Sequence, residues 1–271
     1  MFKLAAMSSV CPDWNLEETI AAMRRHGYQG LEPRVEWDHA CGIEADLGPA
    51  RRREVRARLK EEGLELACIA TGARLAAPDP QERARHLEDL KRYIDLAGDL
   101  GCSWVRTFGG PRARDQELAA VVEYVAEGYR QVLAQAKGRG VTLLLETHDD
   151  WSCAAPVRAV VEEVNHPQLR VLWDFMHPQR MLERPAETFQ VIGPYTAYLH
   201  GHDGAYVEGR MQIVALGQGV IDHAGPLRLL ASAGFEGYFS VEVIHQRGQP
   251  HDAEGVMRQY AEKFRELVAG L

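Results

Sequence analysis

Short apolar runs alternate along this chain with longer stretches in which apolar residues recur every three or four positions. The runs occupy 2–7, 28–35, 64–71, 103–108, 141–148, 169–175, 196–203 and 237–244. Their length and their content of Val, Ile, Leu, Tyr and Phe predict strands buried on both faces. The intervening stretches predict helices. In the first, Asn15 and Glu18 have the spacing of a capping box, Leu16, Ile20 and Met23 share a face, and Gly27 marks the end. Further helices are predicted over 48–62, 80–99, 115–138, 155–164, 186–192, 223–233 and 253–268. In the last, Val256, Tyr260, Phe264 and Leu267 form the apolar stripe.

Eight strand–helix units in 271 residues point to a single (β/α)8 TIM barrel, with an eight-stranded parallel core spanning 1–271 as one domain. No Pro/Gly/Ser-rich linker or composition shift divides the chain. A doubly wound sheet usually needs fewer strands.

Charge narrows the partners. A formal net charge of −8 opposes binding to phosphate backbones, so nucleic acid is not expected as a partner. The basic run from Arg51 to Lys60 is interleaved with Glu54 and followed by Glu61 and Glu62, and reads as a solvated helix face. Five scattered cysteines form no C-x-x-C pair, the usage of a reduced, cytoplasmic protein. The first residues make a poor signal peptide, and no apolar run reaches a membrane span, so no membrane partner is expected.

The chemistry gathers in the later runs. Each is apolar until it reaches a metal-type ligand: Glu146 in LLLETH, Asp174 in VLWDF, His200 in AYLHGHD and Glu242 in FSVEVI. A helix-capping acid belongs in the loop after the strand. These residues lie inside apolar runs, where an uncompensated charge costs several kcal/mol. In a barrel the C-terminal strand ends meet at one mouth, so the four converge. Three carboxylates and one imidazole make a mostly oxygen site suited to Mn²⁺, Mg²⁺, Co²⁺ or Zn²⁺. Glu32, Arg106, Phe108 and His148 also fall near strand ends, and Trp14, Trp37 and Phe108 read either as an apolar wall at the mouth or, the commoner use, as core packing. Neither FGGP (108–111) nor Gly217-x-Gly219 has the strand–turn–helix setting of a phosphate loop.

Together, Glu146-Thr147-His148, Asp174-Phe175-Met176-His177-Pro178, His200-Gly201-His202-Asp203, LGQGVID (216–222) and Glu242 resemble the sugar phosphate isomerase/epimerase group of the xylose-isomerase-like TIM-barrel superfamily. That group includes ketose 3-epimerases, hydroxypyruvate isomerase and inosose dehydratase. The resemblance implies that Glu146, Asp174, His200 and Glu242 bind one divalent metal, with Mn²⁺ favoured. It implies that His177 contacts substrate oxygens and places His148, His202, Asp203 and Arg210 among the substrate-binding candidates. His202 departs from the family pattern, standing where many relatives carry lysine.

The implied reaction is proton abstraction next to a carbonyl of a sugar or polyol ketone, through a metal-stabilised enediolate. Glu146 and Glu242 are the expected base and acid. Reprotonation gives an epimerase or isomerase, and loss of hydroxide gives a dehydratase acting on a cyclic polyol ketone. Two rival readings are an abasic-site nuclease and an inactive sugar-binding barrel; the sequence leaves the assembly open between a monomer and a homo-oligomer.

Overall fold

The computed structural model describes residues 2–271. The first half runs β1 (Lys3–Met7), α1 (Leu16–His26), β2 (Gly30–Glu32), α2 (Pro49–Glu61), β3 (Glu65–Leu66), β4 (Ile69–Arg74), α3 (Pro80–Leu100), β5 (Trp104–Phe108) and α4 (Leu118–Arg139). The second half runs β6 (Thr142–Glu146), α5 (Ala154–Val164), β7 (Leu169–Asp174), α6 (Met176–Arg180), α7 (Pro185–Ile192), β8 (Thr196–Gly201), β9 (Asp203–Val207), β10 (Arg210–Val214), α8 (Ala224–Ser232), β11 (Tyr238–Val241) and α9 (Ala253–Ala269).

Nine strands form one parallel sheet in the order β3-β2-β1-β11-β8-β7-β6-β5-β4. Its two ends, β3 and β4, are consecutive pieces of one strand path interrupted at Ala67 and Cys68. A bridge from Arg34 to Ala70 joins the path of β2 to β4, so the sheet returns on itself as a barrel. The expected eight-stranded core is thus present, with its third strand split. The predicted capping box forms: the Glu18 amide donates to Asn15 Oδ1 at 3.0 Å, and the Asn15 amide donates to Glu18 Oε2 at 2.8 Å. Gly27 closes α1 at φ +78°, a left-handed conformation that glycine adopts without a Cβ penalty.

The main apolar core lies between the sheet and its helices. A second cluster, Ala5, Ala67, Cys68, Leu144, Leu172, Tyr198 and Tyr238, fills the barrel interior. Side chains alternate across a strand, so the residue two positions on from each interior plug points inward one layer higher. Leu144 is followed by Glu146, Leu172 by Asp174, and Tyr198 by His200. The dry lower layer thereby sets a polar layer at the mouth. Among the described residues no helix is long and apolar enough to cross a membrane, and the five cysteines are free.

Candidate metal centre

Glu146, Asp174 and His200 end three adjacent strands, with Asp174 paired in register to His200, and Glu242 directly follows β11. One ligand atom from each of the four comes within 4.8 Å of every other, and all four residues are buried. His200 Nδ1 lies 2.9 Å from Glu146 Oε1 and 3.3 Å from Glu242 Oε2. Its Nε2 lies 3.0 Å from Glu32 Oε1, whose other oxygen accepts from the Tyr198 hydroxyl at 2.9 Å.

In the metal-free chain both ring nitrogens face carboxylates, as suits an imidazolium that donates from Nε2 to Glu32 and from Nδ1 to Glu146; with a cation bound, Nε2–H would still donate to Glu32 and leave the Nδ1 lone pair for the ion. Glu32, which the sequence left between a mouth residue and a salt-bridge partner, therefore orients the imidazole. Its signal was present in principle, a glutamate ending an apolar run like the other four, but β2 is only three residues long.

The donor set fits a divalent cation. Glu146 Oε2 and Asp174 Oδ2 are buried and accept no well-aligned hydrogen bond, although Arg106 Nε stands 3.4 Å from the first and His202 Nε2 2.9 Å from the second. An acceptor in that state costs about 1–3 kcal/mol, more when charged. A cation held by Glu146, Asp174, His200 and Glu242 satisfies both. With no ion present, burial disfavours a charged His200 ring, but Glu32, Glu242 and Glu146 outweigh it and hold its pKa well above the usual value. Burial likewise opposes ionisation of Glu242, and His200 more than reverses this.

Arg106 is fully buried beneath this layer. Its Nε is 3.4 Å from Glu146 Oε2 and its guanidinium lies 3.9 Å above the Phe108 ring. His148 stacks between Phe108, at 4.5 Å, and His177, at 4.3 Å. Burial lowers the His148 pKa, but Asp149, 2.9 Å away, more than compensates and raises it. Burial depresses that of His177 against the pull of Asp174. His202 Nε2 lies 2.9 Å from Asp174 Oδ2.

Two of the sequence-derived substrate candidates stand elsewhere. Asp203 is buried with both oxygens occupied by backbone: Oδ1 accepts from Gly204 at 2.8 Å and Ile221 at 3.2 Å, Oδ2 from Gly217 at 2.8 Å and Gly219 at 3.0 Å. It holds a loop rather than offering a carboxylate to a substrate. Arg210 is exposed on the β9–β10 hairpin, opposite Val207. The arginine that feels the cluster is Arg34. Burial, then Arg106, lowers its pKa to about 10, against the opposing pull of Glu242 and Glu146. Its guanidinium lies 3.7 Å above the Trp37 ring.

Glu32→Ala is expected to weaken divalent-metal affinity about 10–100-fold, the usual effect of removing an outer partner of a ligating histidine. Glu32→Gln, which can still accept from Nε2–H, should recover most of the loss. Metal titration of the stripped protein checks both, and equal affinities in all three proteins would remove Glu32 from the centre.

The metal-free chain should also show a defined pH dependence. Burial opposes a charged His202, but Asp174 outweighs it and raises the pKa from 6.5 to about 9. That stabilisation is complete below pH 6.5 and is lost as pH rises through about 9. Asp174, despite its burial, is held well below its ordinary 3.8 by His202 and His177, so its share is lost only in acid. Thermal melts of the stripped protein should therefore fall as pH rises from 6.5 toward 10. An unchanged melting temperature across that upper range would contradict the ion pair.

Comparison with known proteins bears on this geometry. The description "Xylose isomerase-like TIM barrel" belongs to the family whose sequence model matches residues 20–267. A 3-dehydroshikimate dehydratase of Bacillus anthracis is 24% identical over 65% of this chain and 61% of its own. A 2-epi-5-epi-valiolone 7-phosphate 2-epimerase of an Actinoplanes species is 28% identical over 64% of this chain and 63% of its own. The chain thus aligns with about three fifths of the length of these curated relatives. Among solved structures, the IOLI protein with a bound zinc atom superposes with a TM-score of 0.83 at 18% identity, covering 99% of each chain.

Proposed function

The chain belongs to the xylose isomerase-like TIM barrel family, and we propose that it is a divalent-metal-dependent sugar isomerase or epimerase that removes a proton from the carbon beside a carbonyl. The observation that carries this reading is the convergence of Glu146, Asp174, His200 and Glu242 in one buried cluster at the barrel mouth. When bound there, a divalent cation supplies the Lewis acidity that makes such a carbon acid strong enough for a carboxylate base. The zinc in the IOLI structure suits the same type of site, and Mn²⁺, Mg²⁺ and Co²⁺ remain candidates.

The chain's own residues divide the remaining work. Glu146 and Glu242 arrive from strand paths separated by β7 and β8, and serve as base and acid at the substrate carbon. Burial keeps water from the carbanion. His148 and His177 present imidazoles to substrate hydroxyls, and Arg34 supplies positive charge where negative charge develops. Arg106, its Nε 3.4 Å from Glu146 Oε2, holds that carboxylate in place.

A dehydratase outcome starts from the same carbon acid and is supported by the likeness to the 3-dehydroshikimate dehydratase. The test is incubation of the metal-loaded protein with ketoses and inososes in heavy water. Deuterium at the carbon next to the carbonyl, with mass otherwise conserved, is the expected result. Loss of water from the substrate would make the dehydratase reading correct. Absence of both exchange and dehydration across the panel would sink the proposal.

A further inference from the structure

Two arginines at the mouth carry charge that the chain answers only in part. Arg34, Ala70 and Arg106 lie in one register row: Arg34 bridges to Ala70, and Ala70 pairs with Arg106. Their neighbours Val35, Ile69 and Val105 pack in the outer core, so by alternation all three face the barrel interior. Two strand spacings, about 10 Å, separate the arginine backbones, and the residue between them offers only a methyl group. Each guanidinium lies over an aromatic ring, Arg34 at 3.7 Å from Trp37 and Arg106 at 3.9 Å from Phe108. Arg34 Nε, Arg106 Nε and Arg106 Nη1 are buried without a hydrogen-bond partner. Arg106 has Glu146 Oε2 at 3.4 Å, but among the described residues Arg34 forms no ion pair at all. Buried donors of a charged group are costly to leave unpaired. The two charges also oppose each other: after burial, Arg106 is what most lowers the pKa of Arg34.

We propose that Arg34 and Arg106 together bind a carboxylate carried by the substrate, so that the protein acts on a sugar acid with a ketone rather than on a neutral ketose. The inference rests on the isomerase or epimerase reading above, whose substrate class it names. The planar N–H edges of two guanidinium groups match the two oxygens of a carboxylate, and stacking on Trp37 and Phe108 holds them ready. A phosphate site also calls on free backbone amides. Those around this row are taken. The Arg34 amide donates to Ser8 Oγ at 2.8 Å and the Gly72 amide to Glu36 Oε2 at 2.9 Å. The Val35 and Ala70 amides donate to the carbonyls of Ala70 at 3.0 Å and Pro33 at 2.9 Å. The row adjoins the metal cluster, because Arg106 pairs with Leu144, two residues before Glu146. A substrate that meets the cluster with its carbonyl can therefore set its far end between the arginines. The carboxylate is a handle and takes no part in the proton transfer. Arg34 then meets a charge that the substrate brings, beside the one that develops in the reaction.

The test compares matched compounds in heavy water with the metal-loaded protein: D-fructose, D-fructuronate, in which a carboxylate replaces the terminal CH₂OH, and D-fructose 6-phosphate, with the same three forms of D-tagatose. Deuterium exchange gives kcat/KM, and calorimetric titration reads binding without turnover. The carboxylates should be preferred to the parent ketoses by about 10- to 100-fold, the range for a hydrogen bond to a charged group. In Arg34→Gln that preference should collapse, chiefly through KM, and Arg34→Lys should restore part of it. The comparison on the wild type stands alone if Arg34→Gln does not fold. Parent ketoses used as well as the carboxylates, or a preference that survives in folded Arg34→Gln, overturns the carboxylate site and leaves the isomerase reading intact. Phosphate esters used better than carboxylates overturn it in favour of a phosphate site. Arg34-dependent binding of a carboxylate with no exchange on any compound supports the site and sinks the isomerase reading. Neither binding nor exchange of the carboxylates by the folded wild type overturns the site.

Discussion

Glu146→Gln and Glu242→Gln should each lower turnover at least about a thousandfold, the upper part of the range for losing a positioned acid or base. Glutamine keeps the size of the side chain and removes both its charge and its basicity. Each substitution also takes one anionic ligand from the cluster, so metal affinity should fall with turnover. The two variants should differ in stability. Glu146 is fully buried beside Arg106, whose Nε and Nη1 have no hydrogen-bond partner. Removing the glutamate's charge leaves a buried guanidinium uncompensated, a change worth about 3–5 kcal/mol. Glu242 neighbours His200 at 3.3 Å and His202 at 3.9 Å, both of which can give up a proton. Its loss should destabilise the fold much less. Single-turnover deuterium exchange, metal titration and thermal melts on the two variants separate these effects. Near-normal exchange in either would remove that residue from the acid–base pair.

The strand–helix alternation was legible because parallel strands buried on both faces are apolar throughout, while their covering helices are apolar on one side. The four residues of the candidate site stood out for the same reason: an acid inside LLLE or VLWD breaks a pattern that has no structural use for it. The break between β3 and β4 was not, because Ala67 and Cys68 are as apolar as the strand around them. The β9–β10 hairpin was also missed. Its residues are largely exposed on both faces, so no alternation of polar and apolar positions marks it. Arg210 was consequently read as a candidate for the mouth, while Arg34, just past the short β2, was overlooked.

His202 and Asp203 show what a motif alone cannot separate. Written together as H-G-H-D they look like one functional unit. Successive side chains along an extended backbone face opposite ways. His202 therefore turns to Asp174 in the polar layer at the mouth, and Asp203 turns away into the loop that returns from β10. Gly217-x-Gly219, which lacks the strand–turn–helix setting of a phosphate loop, nonetheless cradles an anion, the chain's own Asp203 carboxylate. A Cβ on Gly219 would collide with that carboxylate, so the glycine is required by close approach.

Asp203→Ala should accordingly behave as a stability variant rather than a substrate-binding variant. Four backbone amides lose their acceptor at once, and the carboxylate that joins 215–222 to the end of β8 is gone. Buried donors left unpaired cost about 1–3 kcal/mol each, but part of this loop can turn to water, so a net loss on the order of 3–5 kcal/mol is expected. For a chain of this size that corresponds to a fall in melting temperature of roughly 10 °C. The loop also carries Ile221, whose amide binds Asp203, and His223, whose ring contacts the His202 carbonyl at 3.0 Å. Loosening it should weaken the position of His202, the partner of Asp174 at 2.9 Å. A residue that touched substrate would show the opposite signature, a raised KM with an unchanged melting temperature. Thermal melts beside steady-state kinetics at low temperature decide between the two, and an unshifted melt would return Asp203 to the substrate.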